Sequence, residues 1–231
     1  MPKLVFDIET IGEDFDKLDE KSQHYILQNA QRYGKTEEEV EEKKSSLGFS
    51  PLTGQVVAIG LYNPDTKKGR VLFQSPDKDS SGEETENADY VKMTEKQMLT
   101  EFWEVVRKYD EFITFNGRGF DVPFLNIRSA ICGLRPSKDL LSNRFLSSQK
   151  FAALHVDLLD QLTFYGATPR QKLHFFCRAF GIKSPKEGEI TGEEIGQAFK
   201  DKRYLEIAQY CFFDLVATAE LYEYWDKYLR F

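Results

Sequence analysis

The sequence predicts an α/β fold, a mixed five-stranded sheet flanked by helices. Two observations point to it. Short β-branched and aromatic runs occur first at hairpin-like spacing and then alternate with helical periods of apolar residues. The 231 residues are 41% hydrophobic, with 19 Phe, 11 Tyr and 2 Trp, enough for one sizeable core. That aromatic content excludes a mainly disordered chain, and 15 Gly with 8 Pro excludes a collagen-like or low-complexity one. A single domain over residues 1–231 is expected, with a helical insertion at about 13–46.

Residues 3–8 (KLVFDI) read as a buried first strand. The acidic stretch 13–46 follows, with Phe15, Leu18, Tyr25 and Ile26 at loosely helical spacing. After the turn signal Ser50-Pro51-Leu52-Thr53-Gly54 come strands at 55–62 and 70–74, joined through Asn63-Pro64-Asp65 and Lys68-Gly69. Residues 75–92 read as a charged loop. Thr94 and Gln97 form a capping-box pair ahead of an amphipathic helix carrying Met98, Phe102 and Tyr109. A fourth strand is expected at 111–115, broken by Asn116-Gly117-Arg118-Gly119. A helix over 121–132 tolerates Pro123 in its first turn. The fifth strand falls at 151–159, running toward a helix; 172–181 is a short helix ended by Gly181, and 203–230 a long one.

Net charge is −7, yet it is unevenly placed. Residues 13–46 hold ten acids against six bases and residues 75–90 six against one, which leaves the remainder at +2. Overall acidity therefore does not exclude a basic groove. Asp7 interrupts the N-terminal apolar run, so no signal-peptide core forms, and no apolar stretch is long enough to span a bilayer. Cys132, Cys177 and Cys211 are scattered and odd in number, the pattern of buried thiols in a reducing compartment. A soluble, cytoplasmic protein with no membrane partner is expected.

Four acids stand in apolar company. Asp7 and Glu9, two apart at the end of the first strand, share a face roughly 6–7 Å apart. Asp121 follows Phe120 at a loop-helix junction, and Asp214 sits mid-helix in YCFFDLVAT. Like charges on one buried face are costly unless cations share the site. Hard divalent cations want such oxygen ligands, and paired metals activate water for phosphoryl attack. Tyr210, four residues before Asp214, shares its helix face and offers a phenol to orient that water. Each feature also has an ordinary reading: a solvated strand face for Asp7 and Glu9, an N-cap for Asp121, a packing pair for Tyr210 and Asp214.

Phe6-Asp7-Ile8-Glu9-Thr10 resembles the first motif of DEDD-superfamily 3′→5′ exonucleases. Asn116-Gly117-Arg118-Gly119-Phe120-Asp121 resembles the second, and Tyr210-Cys211-Phe212-Phe213-Asp214 the third, in the form that marks the tyrosine branch. The histidine branch would want His where Gln209 stands. The chain looks most like stand-alone bacterial relatives of the exonuclease domain of B-family DNA polymerases, and Gly181–Lys186 with Thr191-Gly192 adds a weaker likeness.

The resemblance implies a ribonuclease-H-like fold and two divalent cations, Mg²⁺ or Mn²⁺, held by Asp7, Glu9, Asp121 and Asp214, with Tyr210 positioning the nucleophilic water. It implies that Thr10 and Ile11 meet the terminal nucleotide and that Asn116 and Phe120 line the strand path. Setting the four acids aside raises the +2 remainder to +6, and Arg118, Arg170, Lys172, Lys183 and Lys186 are candidate phosphate contacts. No polymerase segment follows Phe231, so proofreading in cis is not expected.

The expected activity is hydrolysis of phosphodiester bonds from 3′ ends, mainly of single-stranded DNA, releasing nucleoside monophosphates. An exoribonuclease is the alternative, since the 2′-hydroxyl separates the two substrates and no residue here identifies how it would be met. A non-catalytic nucleic-acid-binding module is the alternative of another class; it predicts loss of one of the acids, and all are present.

Overall fold

The computed structural model describes residues 1–31, 36–77, 83–184, 192 and 194–230. In chain order the strands and helices are β1 (Lys3–Gly12), α1 (Glu20–Gln31), α2 (Glu37–Ser45), β2 (Gly54–Asn63), β3 (Lys68–Phe73), β4 (Glu83–Glu84), β5 (Ala88–Lys92), α3 (Glu95–Val106) and β6 (Glu111–Thr114). They continue with α4 (Asp121–Ile131), β7 (Leu154–Asp157), α5 (Leu158–Leu162), α6 (Leu173–Phe180), α7 (Ile195–Lys200) and α8 (Tyr204–Tyr228). The sheet order is β4-β5-β3-β2-β1-β6-β7. β1, β2 and β3 form an antiparallel meander, while β6 runs parallel to β1 and β7 parallel to β6.

The mixed sheet with flanking helices is the fold the sequence predicts, but it has seven strands rather than five. The two additions lie in the segment read as a charged loop. Ala88 and Tyr90 are buried while Asp89 between them is exposed, a period of two hidden among acids, and β5 pairs in parallel with β3. The fifth expected strand is shorter than 151–159. Only Leu154–Asp157 is extended, because the Asp157 carboxylate accepts from the Leu159 and Asp160 amides and starts α5 at once. The short helix α7 was not foreseen.

Other local readings hold. Thr94 and Gln97 make the reciprocal capping box of α3. Gly181 ends α6 at φ 70°, the left-handed turn glycine tolerates best. Residues 13–46 contribute α1 and α2 between β1 and β2.

The faces of β1 divide the core. Leu4, Phe6 and Ile8 join Phe102, Phe112 and Phe124 under α3 and α4. Val5 and Ile11 join Ile113, Leu215 and Trp225 under α8. Asp7 and Glu9 belong by alternation to the α8 face.

Candidate active site

The β1–β6 pairing covers only Lys3–Val5 against Glu111–Ile113. Beyond it β1 continues while the chain after β6 turns away, which opens a crevice at the carboxyl ends of two parallel strands. Such crevices are the usual ligand sites of α/β sheets. Asp157 shapes the departing loop: its carboxylate accepts from the Asn116 amide and the Arg118 amide, each at 2.9 Å. Asn116 takes φ 66°, and Gly117 is needed because a Cβ there would lie 2.4 Å from Thr114 Oγ1.

The loop delivers Asp121 to the first turn of α4. Its side chain does not cap that helix. Oδ1 accepts instead from the Ile8 amide at 3.1 Å, tying α4 to the freed edge of β1 and setting the carboxyl against Asp7.

From the other side α8 brings Tyr210, Cys211 and Asp214. Gly60, directly across from Asp7 in the β1–β2 pair, permits this approach. A Cβ at Gly60 would lie 2.6 Å from Leu215 Cδ1 and 2.8 Å from Cys211 Sγ. The Tyr210 hydroxyl faces Asp214, one helical turn on, and burial followed by the Asp214, Glu9 and Asp7 charges holds the phenol well above its ordinary pKa. A carboxylate oxygen of Asp7, one of Glu9 and the Cys211 sulfur lie within 4.8 Å of one another.

The electrostatics are one-sided. Burial raises the Asp7 carboxyl well above the usual carboxylate range, and Asp121, Asp214 and Glu9 push it further. Glu9 is raised by burial and then by Asp214 and Asp121. Asp121 is pushed up to about 7, chiefly by burial, with its own amide and the Ile8 amide opposing. Glu9 is only 8% exposed, and its carboxylate has no hydrogen-bond or ion-pair partner among the described residues. A buried oxygen-rich set without a matching cation has the donor chemistry of a divalent-metal site.

The structure thus brings together Asp7, Glu9, Asp121, Tyr210 and Asp214. Around them Thr10 donates its hydroxyl to the Gly48 carbonyl at 2.8 Å, and Ile11 is buried. Phe120 stacks edge-on against the exposed Phe49, a partner the sequence did not suggest. Asn116 Oδ1 accepts from Arg170, whose guanidinium also pairs with Asp160. Arg118 is not turned outward as a free phosphate contact: its guanidinium donates to the carbonyls of Leu140 and Leu141. Lys172 and Lys183 are exposed. Lys183 borders a groove of about 840 Å³ lined by Tyr62, Phe212 and Phe213, which includes none of the four carboxylates. Lys186 and Thr191 lie outside the described residues, while Gly192 sits beside the Tyr210 hydroxyl, 3.7 Å from a Cβ built on it.

Sequence reasoning missed Asp157, Gly60 and Cys211. A glycine inside the apolar run QVVAIGLY was a signal of close backbone approach. Asp157 and Cys211 carried no local signal.

The fold and the family match place this chain in the class of polymerase-related exonuclease domains, a family of phosphodiester hydrolases. The chain belongs to the family described as "Predicted 3'-5' exonuclease related to the exonuclease domain of PolB", which it matches over residues 71–229. That span holds Asp121, Tyr210 and Asp214; Asp7 and Glu9 precede it. A DNA polymerase of Thermococcus gorgonarius is 33% identical over 144 residues, 57% of this chain and 18% of that protein. A DNA polymerase of Desulfurococcus sp. (strain Tok) is 31% identical over 141 residues, 55% of this chain and 18% of that one. The chain therefore spans less than a fifth of these relatives. The family B DNA polymerase from Pyrobaculum calidifontis superposes with a TM-score of 0.60 at 18% identity, covering 97% of this chain and 24% of the polymerase, and shares the ribonuclease-H-like fold.

Proposed function

We propose that this protein is a metal-dependent 3′→5′ exonuclease that removes nucleoside monophosphates, mainly from single-stranded DNA ends. The observation that carries the proposal is the convergence of Asp7, Glu9, Asp121 and Asp214 from three elements, with raised proton affinities at Asp7, Glu9 and Asp121 and no cation paired to Glu9 among the described residues. These four would hold two divalent cations, Mg²⁺ or Mn²⁺, which when bound supply Lewis acidity and a more acidic water. The chain's own groups do the rest. Tyr210, one turn from Asp214 on the same helix face, orients the attacking water in line with the terminal phosphodiester. Thr10 and the Phe49–Phe120 edge set the last nucleotide against β1, and exposed bases such as Lys172 attract the strand. The whole described chain acts as one catalytic unit in this reading, with the turn after α2 bordering the site through Phe49.

The test uses 5′-labelled single-stranded, duplex and 3′-blocked DNA and matching RNA. Mononucleotide release from free 3′ ends is expected, abolished by chelator, restored by Mn²⁺ or Mg²⁺, and absent in Asp7→Asn and Asp214→Asn that fold normally. Undiminished activity in chelator, or cutting of a closed circular strand, would overturn it. Faster release from RNA would move the substrate assignment to RNA 3′ ends.

A further inference from the structure

The Cys211 thiol lies against the carboxylates proposed to bind metal. It is fully buried on the face of α8 that meets β1. Among the described residues its sulfur makes one hydrogen-bond contact, a long one of 3.9 Å to the Asp7 carbonyl. Gly60 leaves the room that lets the sulfur settle onto the strand pair. The sulfur and one oxygen each from Asp7 and Glu9 all fall within 4.8 Å of one another, and Glu9, 8% exposed, has no hydrogen-bond or ion-pair partner among the described residues. Ligands around a tetrahedral ion bound at about 2.0–2.3 Å stand a little closer than this, so small side-chain rotations close the set. Oxygen ligands suit Mg²⁺ and Mn²⁺, whereas one thiolate shifts preference toward zinc-like ions.

We propose that Cys211, Asp7 and Glu9 form a mixed sulfur–oxygen site for a soft divalent cation of the Zn²⁺ and Cd²⁺ class, overlapping the activating-metal site. The proposal rests on the reading of Asp7 and Glu9 as metal ligands. The ion replaces the thiol proton, which passes to solvent, and no electron changes hands. Because the oxygens are shared, such an ion excludes Mn²⁺ rather than joining it, and zinc inhibits the enzyme by occupancy. Leu215, one turn on, is apolar, so the sulfur is supplied by Cys211 alone within this helix face.

The experiment titrates full-length protein with Cd²⁺ and follows the ultraviolet sulfur-to-cadmium charge-transfer band. Bound Mn²⁺ is followed in parallel by electron paramagnetic resonance. Wild type should show the band, and Cd²⁺ should release bound Mn²⁺. Cys211→Ser should lose the band and bind Cd²⁺ at least about tenfold more weakly, with Mn²⁺ affinity little changed. Cys211→Ala serves if the serine variant unfolds, and Cys132→Ser should behave as wild type. A band that persists without Cys211, or Cd²⁺ binding with no band, overturns the sulfur site. Normal Mn²⁺ binding beside a missing band leaves the proposed function standing. Failure of Mn²⁺ to bind at all overturns both.

Discussion

Gly60 faces Asp7 across the β1–β2 pair, and a single added carbon at Gly60 would strike Leu215 and Cys211 of α8. The distance between the long helix and the first strand is therefore set by the absence of a side chain. Gly60→Ala should cost about 1–3 kcal/mol in urea unfolding, the usual range for overpacking a filled core. Activity should fall further than stability, because α8 carries Asp214 and Tyr210. Leu215→Ala should recover part of that loss when combined with Gly60→Ala, and strict additivity in the double variant would show that the two do not meet.

Tyr210→Phe keeps the ring and removes only the hydroxyl that faces Asp214. The turnover number should fall about 10²-fold or more, the range for a positioned proton-handling group. KM should move little, and melting should shift by no more than one hydrogen bond's worth, about 1 kcal/mol. A wild-type rate would take the phenol out of the mechanism.

Asp121 gives a pH signature to the metal-free protein. Its carboxyl titrates at about 7 when folded, against about 3.9 in an unfolded chain. Between these values the folded state holds a proton that the unfolded state has lost, so stability drops as pH rises through that window. The slope is at most about 1.4 kcal/mol per pH unit. His155 acts in the opposite sense, since burial lowers it to about 4 and its contribution is lost as pH falls from about 6.5. Comparing chelator-treated wild type with Asp121→Asn cancels the histidine. The variant should show the shallower fall from pH 4 to 7, and identical slopes would refute the shift.

Asp157 should behave as a positioning residue. It is 1% exposed and holds the amides of Asn116, Arg118 and Leu159. Asp157→Ala leaves those donors buried and unmet, at a cost of at least about 2 kcal/mol. Asp157→Asn retains one acceptor oxygen and should be milder in both melting temperature and turnover. Equal effects of the two would place the role in charge rather than in loop geometry.

The carboxylates were legible because charge is costly in apolar surroundings, so Asp7 after KLVF and Asp214 after YCFF announce themselves in one dimension. The supporting residues were not. Asp157 falls inside a stretch that reads as strand, and its role as a cap of α5 and a clamp on the loop after β6 appears only when that loop, 41 residues upstream at Asn116, folds back onto it. β5 escaped because two buried side chains among acids are too few to establish a period. Arg118 looked like a phosphate contact because a guanidinium in a glycine loop is usually solvated, yet two carbonyls between α4 and β7 claim it.

The acids come from β1, from the start of α4 and from α8, so more than two hundred residues separate the first from the last. Synthesis from the N-terminus makes Asp7 and Glu9 early and the helix bearing Tyr210 and Asp214 near the end. A chain still emerging from the ribosome before α8 carries three of the four acids of the proposed centre but lacks Asp214 and Tyr210. On the proposed function, nascent copies and fragments stopped before α8 would be inactive, and activity would arrive only with closure of the last helix over the first strand.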